Sequence, residues 1–187
     1  SGALMILELL ADAPEIAGGK VQPLPTDGTI SALNIPHSSM VFDLYKTTEI
    51  QAELLGGNGL VTEQVKHADI VSFTCLKAFA FDQRFERKDA HDLIYCIENA
   101  PEGIDAVAAA FRQALAGKHA VVIKEALAIL TKRFATDDTA EGYRKDGPVA
   151  VARFELGESE DAEQREARQL RQRQVTDAIE QLVKKIG

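Results

Sequence analysis

The chain has 187 residues, 45% of them hydrophobic and 27% charged, and a mass of 20.3 kDa. That length suits one domain, or one domain with a helical appendage, with enough chain to bury a core. The formal net charge of −8 argues against wrapping a polyanion over the whole surface, although a local basic pocket stays compatible with it. No apolar run reaches membrane length and no signal peptide is recognisable, so no membrane contact and a cytoplasmic location are expected. Cys75 and Cys96 lack metal-type spacing, and free thiols in a reducing compartment are the expectation.

The chain opens on Ser1-Gly2-Ala3-Leu4 without an initiator methionine. Met5–Leu10 then reads as a strand buried on both faces and carrying one carboxylate, Glu8. Such a beginning points either to a segment removed upstream or to an expression scar over Ser1–Leu4. Lys20–Pro25 follows a Gly18-Gly19 turn, and its prolines confine it to an edge or a strand end. Thr29–Ile35 is a strand after the turn dipeptide Asp27-Gly28. Met40–Lys46 fits a short helix or a strand. Thr47–Leu54 and Leu60–Lys66 flank Gly56-Gly57-Asn58-Gly59 as a hairpin. No helix with a Lys-Ser/Thr signature follows that loop, so a plain turn is preferred to a phosphate cradle.

From Asp69 the apolar period changes to that of helices. Asp69 caps a helix over Ile70–Arg84, and a second helix opens at Lys88 or Asp89 and runs to about Asn99. The third follows Pro101-Glu102-Gly103, buries Ile104, Val107, Ala108, Phe111 and Leu115, and stops at Gly117. The fourth spans His119–Phe134. Thr136–Pro148 reads as a loop and Val149–Leu156 as a strand or extended connector. Glu158–Ile186 is a long helix with an apolar stripe at Val175, Ile179, Leu182 and Ile186. The expected fold is α+β: a small mixed sheet of about five strands followed by a helical bundle. The expected divisions are a sheet-rich part over 1–68, a helical part over 69–135, and a loop with a long helix over 136–187.

The densest chemistry lies between Leu76 and Leu93. Lys77, Phe81 and Arg84 share one helix face, and Lys77 stands among Phe73, Leu76 and Phe81, so its ammonium needs an anionic partner. Asp89 and Asp92, one turn apart on the next helix, can supply it. Lysine, arginine and paired aspartates at a helix corner can hold a triphosphate with magnesium, the cations neutralising phosphate and the carboxylates holding metal or orienting a hydroxyl. The same residues also make a plain corner ion-pair network, with Asp89 as a cap and Lys77 extended towards water.

Phe73-x-x-Leu76-Lys77-Ala78-x-Ala80-x-x-x-Arg84, followed by Lys88-Asp89-x-x-Asp92-Leu93-x-Tyr95, resembles the second and third motifs of the AbiEii-type nucleotidyltransferases. These belong to the DNA polymerase-β-like superfamily and include toxins of type IV toxin–antitoxin pairs. The likeness covers roughly Leu4–Ile97. It implies magnesium-dependent transfer of a nucleotide monophosphate from an NTP to a hydroxyl acceptor on RNA or protein, with an antitoxin as a partner. On this resemblance Glu8 is the third metal-binding carboxylate, Lys77 holds the nucleotide phosphates, Arg84 and Lys88 are secondary contacts, and Asp89 and Asp92 are the acids of the third motif, Asp92 being catalytic or orienting. The superfamily's first motif, Gly-Ser/Thr followed by Asp-x-Asp, does not occur in Ser1–Gly187. Either it lies upstream, or the polypeptide is a catalytically incomplete nucleotide-binding or protein-interaction domain.

The remaining candidates are weaker. His91 is expected exposed at a helix start, His37, His67 and His119 lack companion ligands, and Cys75 fits a small core residue. Arg165, Arg168, Arg171 and Arg173, interleaved with Glu163 and Glu166, read as a solvated face rather than an RNA contact. A structural adaptor using Val175–Ile186 as a dimer seam is a further alternative, and the oligomeric state is open.

Overall fold

The computed structural model describes residues 7–24 and 27–187. The chain divides into two compact units, Ser1–Asp43 and Leu44–Gly187, and the architecture is α+β. Ser1–Leu4, Met5, Ile6, Pro25 and Thr26 lie outside the described residues.

In the first unit, β1 (Leu10–Ala11), β2 (Val21–Leu24) and β3 (Asp27–Asn34) form a mixed sheet in the order β1-β3-β2. β1 runs parallel to β3, with Leu10 opposite Leu33, and β2 antiparallel to it, with Val21 also opposite Leu33. Asn34 is fully buried at the end of β3. Its side chain accepts from the Ala13 N–H at 2.7 Å and donates to the carbonyls of Ala13 and Ile16 at 3.2 and 2.6 Å. One carboxamide thus satisfies the backbone of the β1–β2 loop. Asp12 accepts from the N–H groups of His37 and Ser39, both at 3.1 Å, and starts the 3-10 turn Ser38–Phe42.

Over residues 7–10, the described part of the expected Met5–Leu10 strand, no doubly buried strand forms. β1 has two residues, Glu8 precedes it, and Leu7, Leu9 and Leu10 are 79%, 45% and 55% exposed. A continuous apolar run signals a strand buried on both faces only where a layer covers each face.

The second unit begins with an antiparallel ribbon, β4 (Tyr45–Glu53) and β5 (Leu60–Ala68), pairing Tyr45 with Ala68 and Glu53 with Leu60. Every residue of β4 is exposed. Gly56, Gly57 and Gly59 take φ values of 82°, 71° and 93° at its tip, a conformation that side chains resist. No helix follows the tip, so it is the plain turn expected. The five strands among the described residues therefore form two sheets, of three and two strands, not one.

Six helices follow: α1 (Ile70–Arg84), α2 (Arg87–Glu98), α3 (Gly103–Leu115), α4 (Ala120–Phe134), α5 (Asp146–Leu156) and α6 (Ala162–Ile186). Asp69 caps α1 by accepting from the Ser72 N–H at 2.8 Å. Phe81, Leu93, Ile94, Phe111, Ile123, Leu130, Phe134, Ile179 and Leu182 are all less than 2% exposed and make the core.

Two expectations are corrected here. Val149–Leu156 is neither strand nor connector but most of α5, which packs against α2, α4 and α6. The alternating Val149 and Val151 imitate a strand, whereas Pro148 sits in the first turn of α5, where its missing N–H costs nothing. The α6 stripe is no dimer seam either: Val175, Ile179 and Leu182 are buried because α6 lies on α3, α4 and α5 of its own unit.

Candidate functional site: an ion-pair cluster between α1 and α2

Only Phe85 and Glu86 separate α1 from α2. Phe85 takes the left-handed conformation, φ 54°, and its N–H caps the Phe81 carbonyl, which turns the chain sharply. The first turns of α2 then lie beside the second half of α1, bringing Lys77 and Arg84 onto Asp89 and Asp92.

Lys77 Nζ lies 2.9 Å from Asp89 Oδ1 and 2.8 Å from Asp92 Oδ2. Arg84 grips Asp89 with two nitrogens, Nε to Oδ2 at 2.7 Å and Nη2 to Oδ1 at 3.1 Å. Lys88 Nζ reaches Asp92 Oδ2 at 2.7 Å across one helical turn. Asp89 is 2% exposed, so its charge has left water and is stable only because both oxygens carry cationic donors. Burial alone would raise its carboxyl, but Arg84 and Lys77 hold it below the ordinary carboxylate range. Burial likewise opposes the charge on Asp92, and Lys77 and Lys88 pull it below its ordinary value. For Lys77, desolvation works downwards and is outweighed by Asp92 and Asp89, which raise it. The cluster thus gathers three cations on two carboxylates.

Beside it, in the same unit, lies a cavity of about 620 Å³ with Phe73, Tyr95, Cys96, Val107 and Asn99 in its walls. Phe73 joins the two features, since Lys77 Nζ stands 5.8 Å from the centre of its ring. The pairing of Phe73 with Lys77 and of Asp92 with Cys96 at i, i+4 was visible in the sequence. The walls contributed by Lys46, His67 and α3 were not.

No protein-family model, curated protein or solved structure matches this chain.

The cluster of Lys77, Arg84, Lys88, Asp89 and Asp92 is thus assembled, whereas Glu8 belongs to the first unit, exposed and outside any strand. Both oxygens of Asp89 and one of Asp92 are committed to cations. Among the described residues no group of three or more His, Cys, Asp or Glu side chains could hold a metal ion. This donor set does not fit a resident magnesium.

The other candidates fall elsewhere. His91 is not an exposed helix-start residue: it stacks on Phe154 with ring centres 4.5 Å apart, and its Nδ1 lies 3.2 Å from Glu155 Oε1. His67 Nε2 bonds Thr48 Oγ1 at 2.9 Å on the exposed ribbon. Cys75 and Cys96 are both free. Burial, reinforced by the charge of Asp69, pushes the Cys75 thiol up to about 12, the behaviour of a core residue and not of a nucleophile. Arg171, far from solvated, holds Glu98 through two bonds of 2.8 Å and Glu155 through two, of 2.6 and 3.0 Å. Among the described residues no helix is long and apolar enough to cross a membrane.

Proposed function

We propose that the Leu44–Gly187 unit binds a nucleoside triphosphate and belongs to a nucleotidyltransferase-like protein that passes a nucleotide monophosphate to a hydroxyl on RNA or protein. The observation that carries this reading is the Lys77 ammonium, held by the carboxylates of α2 and 5.8 Å from the centre of the Phe73 ring, which itself lines an apolar cavity. A base fits the cavity, and the phosphates fall to Lys77, with Arg84 and Lys88 outside it. Asp89 is a positioning residue, because its buried carboxylate fixes both Lys77 and Arg84. Asp92 keeps Oδ1 clear of any cation among the described residues, and that oxygen is the one placed to accept a hydrogen bond from an acceptor hydroxyl. Magnesium enters as the counter-ion of the triphosphate. A role as the toxin of a toxin–antitoxin pair rests on the motif resemblance alone.

The second reading is a nucleotide-binding or protein-interaction domain without transfer activity. The commitment of Asp89 and Asp92 to cations favours it, since bridging two metal ions needs free carboxylates. Calorimetric titration with ATP, GTP, CTP and UTP, with and without magnesium, tests the binding. One nucleotide is expected to bind, with at least tenfold loss in Lys77→Ala and a smaller loss in Arg84→Ala. Equal affinity in a folded Lys77→Ala protein overturns the role of Lys77. Transfer of label from an α-labelled NTP to RNA or protein then separates the two readings.

A further inference from the structure

A second cavity, of about 790 Å³, lies between the end of α5, the 157–161 loop and the start of α6. Arg168 lines it and is 8% exposed. Its Nη2 donates to the Ser159 carbonyl at 2.6 Å, while Nη1 is shut off from solvent with no hydrogen-bond partner among the described residues. A guanidinium cannot shed its proton to escape burial, and buried charges are otherwise paired. One turn away, Arg171 shows the ordinary solution, with carboxylates of Glu98 and Glu155 on its nitrogens. No carboxylate among the described residues stands within ion-pair distance of Arg168, although Glu158, Glu160 and Glu166 also line the cavity.

Two more features face the same space. Arg153 and Arg165 stand in its walls, and so does Ala162, the first residue of the 25-residue α6. The Asp161 side chain makes no capping bond there, which leaves the first N–H groups of α6 without a side-chain acceptor and the positive end of the helix uncovered. Of the three glutamates, Glu158, in the loop itself, is already held by Arg87 at 2.5 Å and by Arg153 at 3.8 Å.

We propose that this cavity binds a phosphate group, with Arg168 as its buried counter-charge, Arg165 on its side, and the first turn of α6 donating to its oxygens. Guanidinium groups match phosphate in planar pairs, and helix N-termini favour the same ligand. The volume exceeds that of a free ion, so the site also has room for a phosphate carried on a larger molecule. The site is separate from the α1–α2 cluster and does not depend on the nucleotide reading.

The test is thermal unfolding and calorimetric titration of the full chain with inorganic phosphate against sodium chloride of equal ionic strength, with sodium acetate as the carboxylate arm. Saturable binding of phosphate is expected, weakened at least tenfold in Arg168→Gln and several-fold in Arg165→Ala. Where Arg168→Gln does not fold, Arg165→Ala on the exposed side of α6 decides alone. Equal affinity in Arg165→Ala, or an equal response to chloride or acetate, overturns the proposal.

Discussion

The backbone of Gly147 lies against the ring of Phe134: a Cβ built on Gly147 falls 2.5 Å from Phe134 Cδ1 and 2.6 Å from Cζ. Phe134 is fully buried and its ring lies tilted against Phe81 with centres 5.7 Å apart, so it has no room to retreat. Gly147→Ala is therefore expected to destabilise the unit by about 1–3 kcal/mol through overpacking, more than the roughly 0.5–1 kcal/mol a helical alanine returns. The urea midpoint should fall. A rise would mean that the ring yields.

Removing Lys77 leaves Asp89 buried with Arg84 as its remaining partner. Lys77→Met should cost roughly 1–3 kcal/mol, the penalty of an incompletely satisfied buried group. The double variant Lys77→Met with Asp89→Leu should recover part of that loss. A double-mutant cycle in urea checks both, and additive losses would show that the two side chains do not interact.

The cluster also sets the acid limb of stability. Asp89 and Asp92 titrate below their ordinary value when folded, so the unfolded chain binds protons first. Their contribution is complete above about pH 5 and is lost as pH falls through the folded values. Unfolding midpoints between pH 5 and 2 should drop steeply in the native sequence and less steeply in Asp92→Asn. Lys77, raised by its carboxylates, contributes with the opposite sign: its share is present through neutral pH and lost above the usual lysine range.

With its thiol pushed up to about 12 and its side chain fully buried, Cys75 should not react with an aromatic disulfide reagent at pH 8 until the unit unfolds. Cys96, half-buried in the wall of the first cavity, should react slowly. Occupation of that cavity should slow it further, which makes the thiol titre a readout of ligand binding without a label.

Ile179→Asp separates a core residue from a dimer seam. Ile179 is 0% exposed within its own unit, so an aspartate there places an unpaired charge in the core, at a cost above about 3 kcal/mol. Loss of the cooperative transition is expected. A folded protein of halved apparent mass on size exclusion would restore the seam.

The helices from Asp69 to Phe134 were legible because their signals are local: an Asp69 cap, a Pro101–Gly103 break, and apolar residues repeating every three or four positions. The contacts of Lys77 with Asp89 and Asp92 were legible for the same reason, since a two-residue link leaves adjoining helices little choice of partner. What escaped depended on distant chain. Whether Leu7–Leu10 is covered depends on a second layer that no local pattern encodes, and whether Val149–Leu156 coils depends on the faces α2 and α6 offer it. The cavity beside Phe73 draws its walls from five elements, β4, β5, α1, α2 and α3. The solitary Arg168 could not be read at all, because a charged residue among glutamates looks paired until the distances are known.

The ribbon of β4 and β5 places two kinds of opening in one unit. Its amides are held by one neighbouring strand with no core above them, while those of α1 and α4 lie over Phe81 and Phe134. Hydrogen exchange along the ribbon should therefore quicken from Tyr45 and Ala68 towards the glycine tip, unzipping at a rate indifferent to denaturant. Exchange in the helices should track global unfolding. The ribbon is then an internal clock for local opening, and a protease cut at Gly57–Gly59 should leave the helical transition intact.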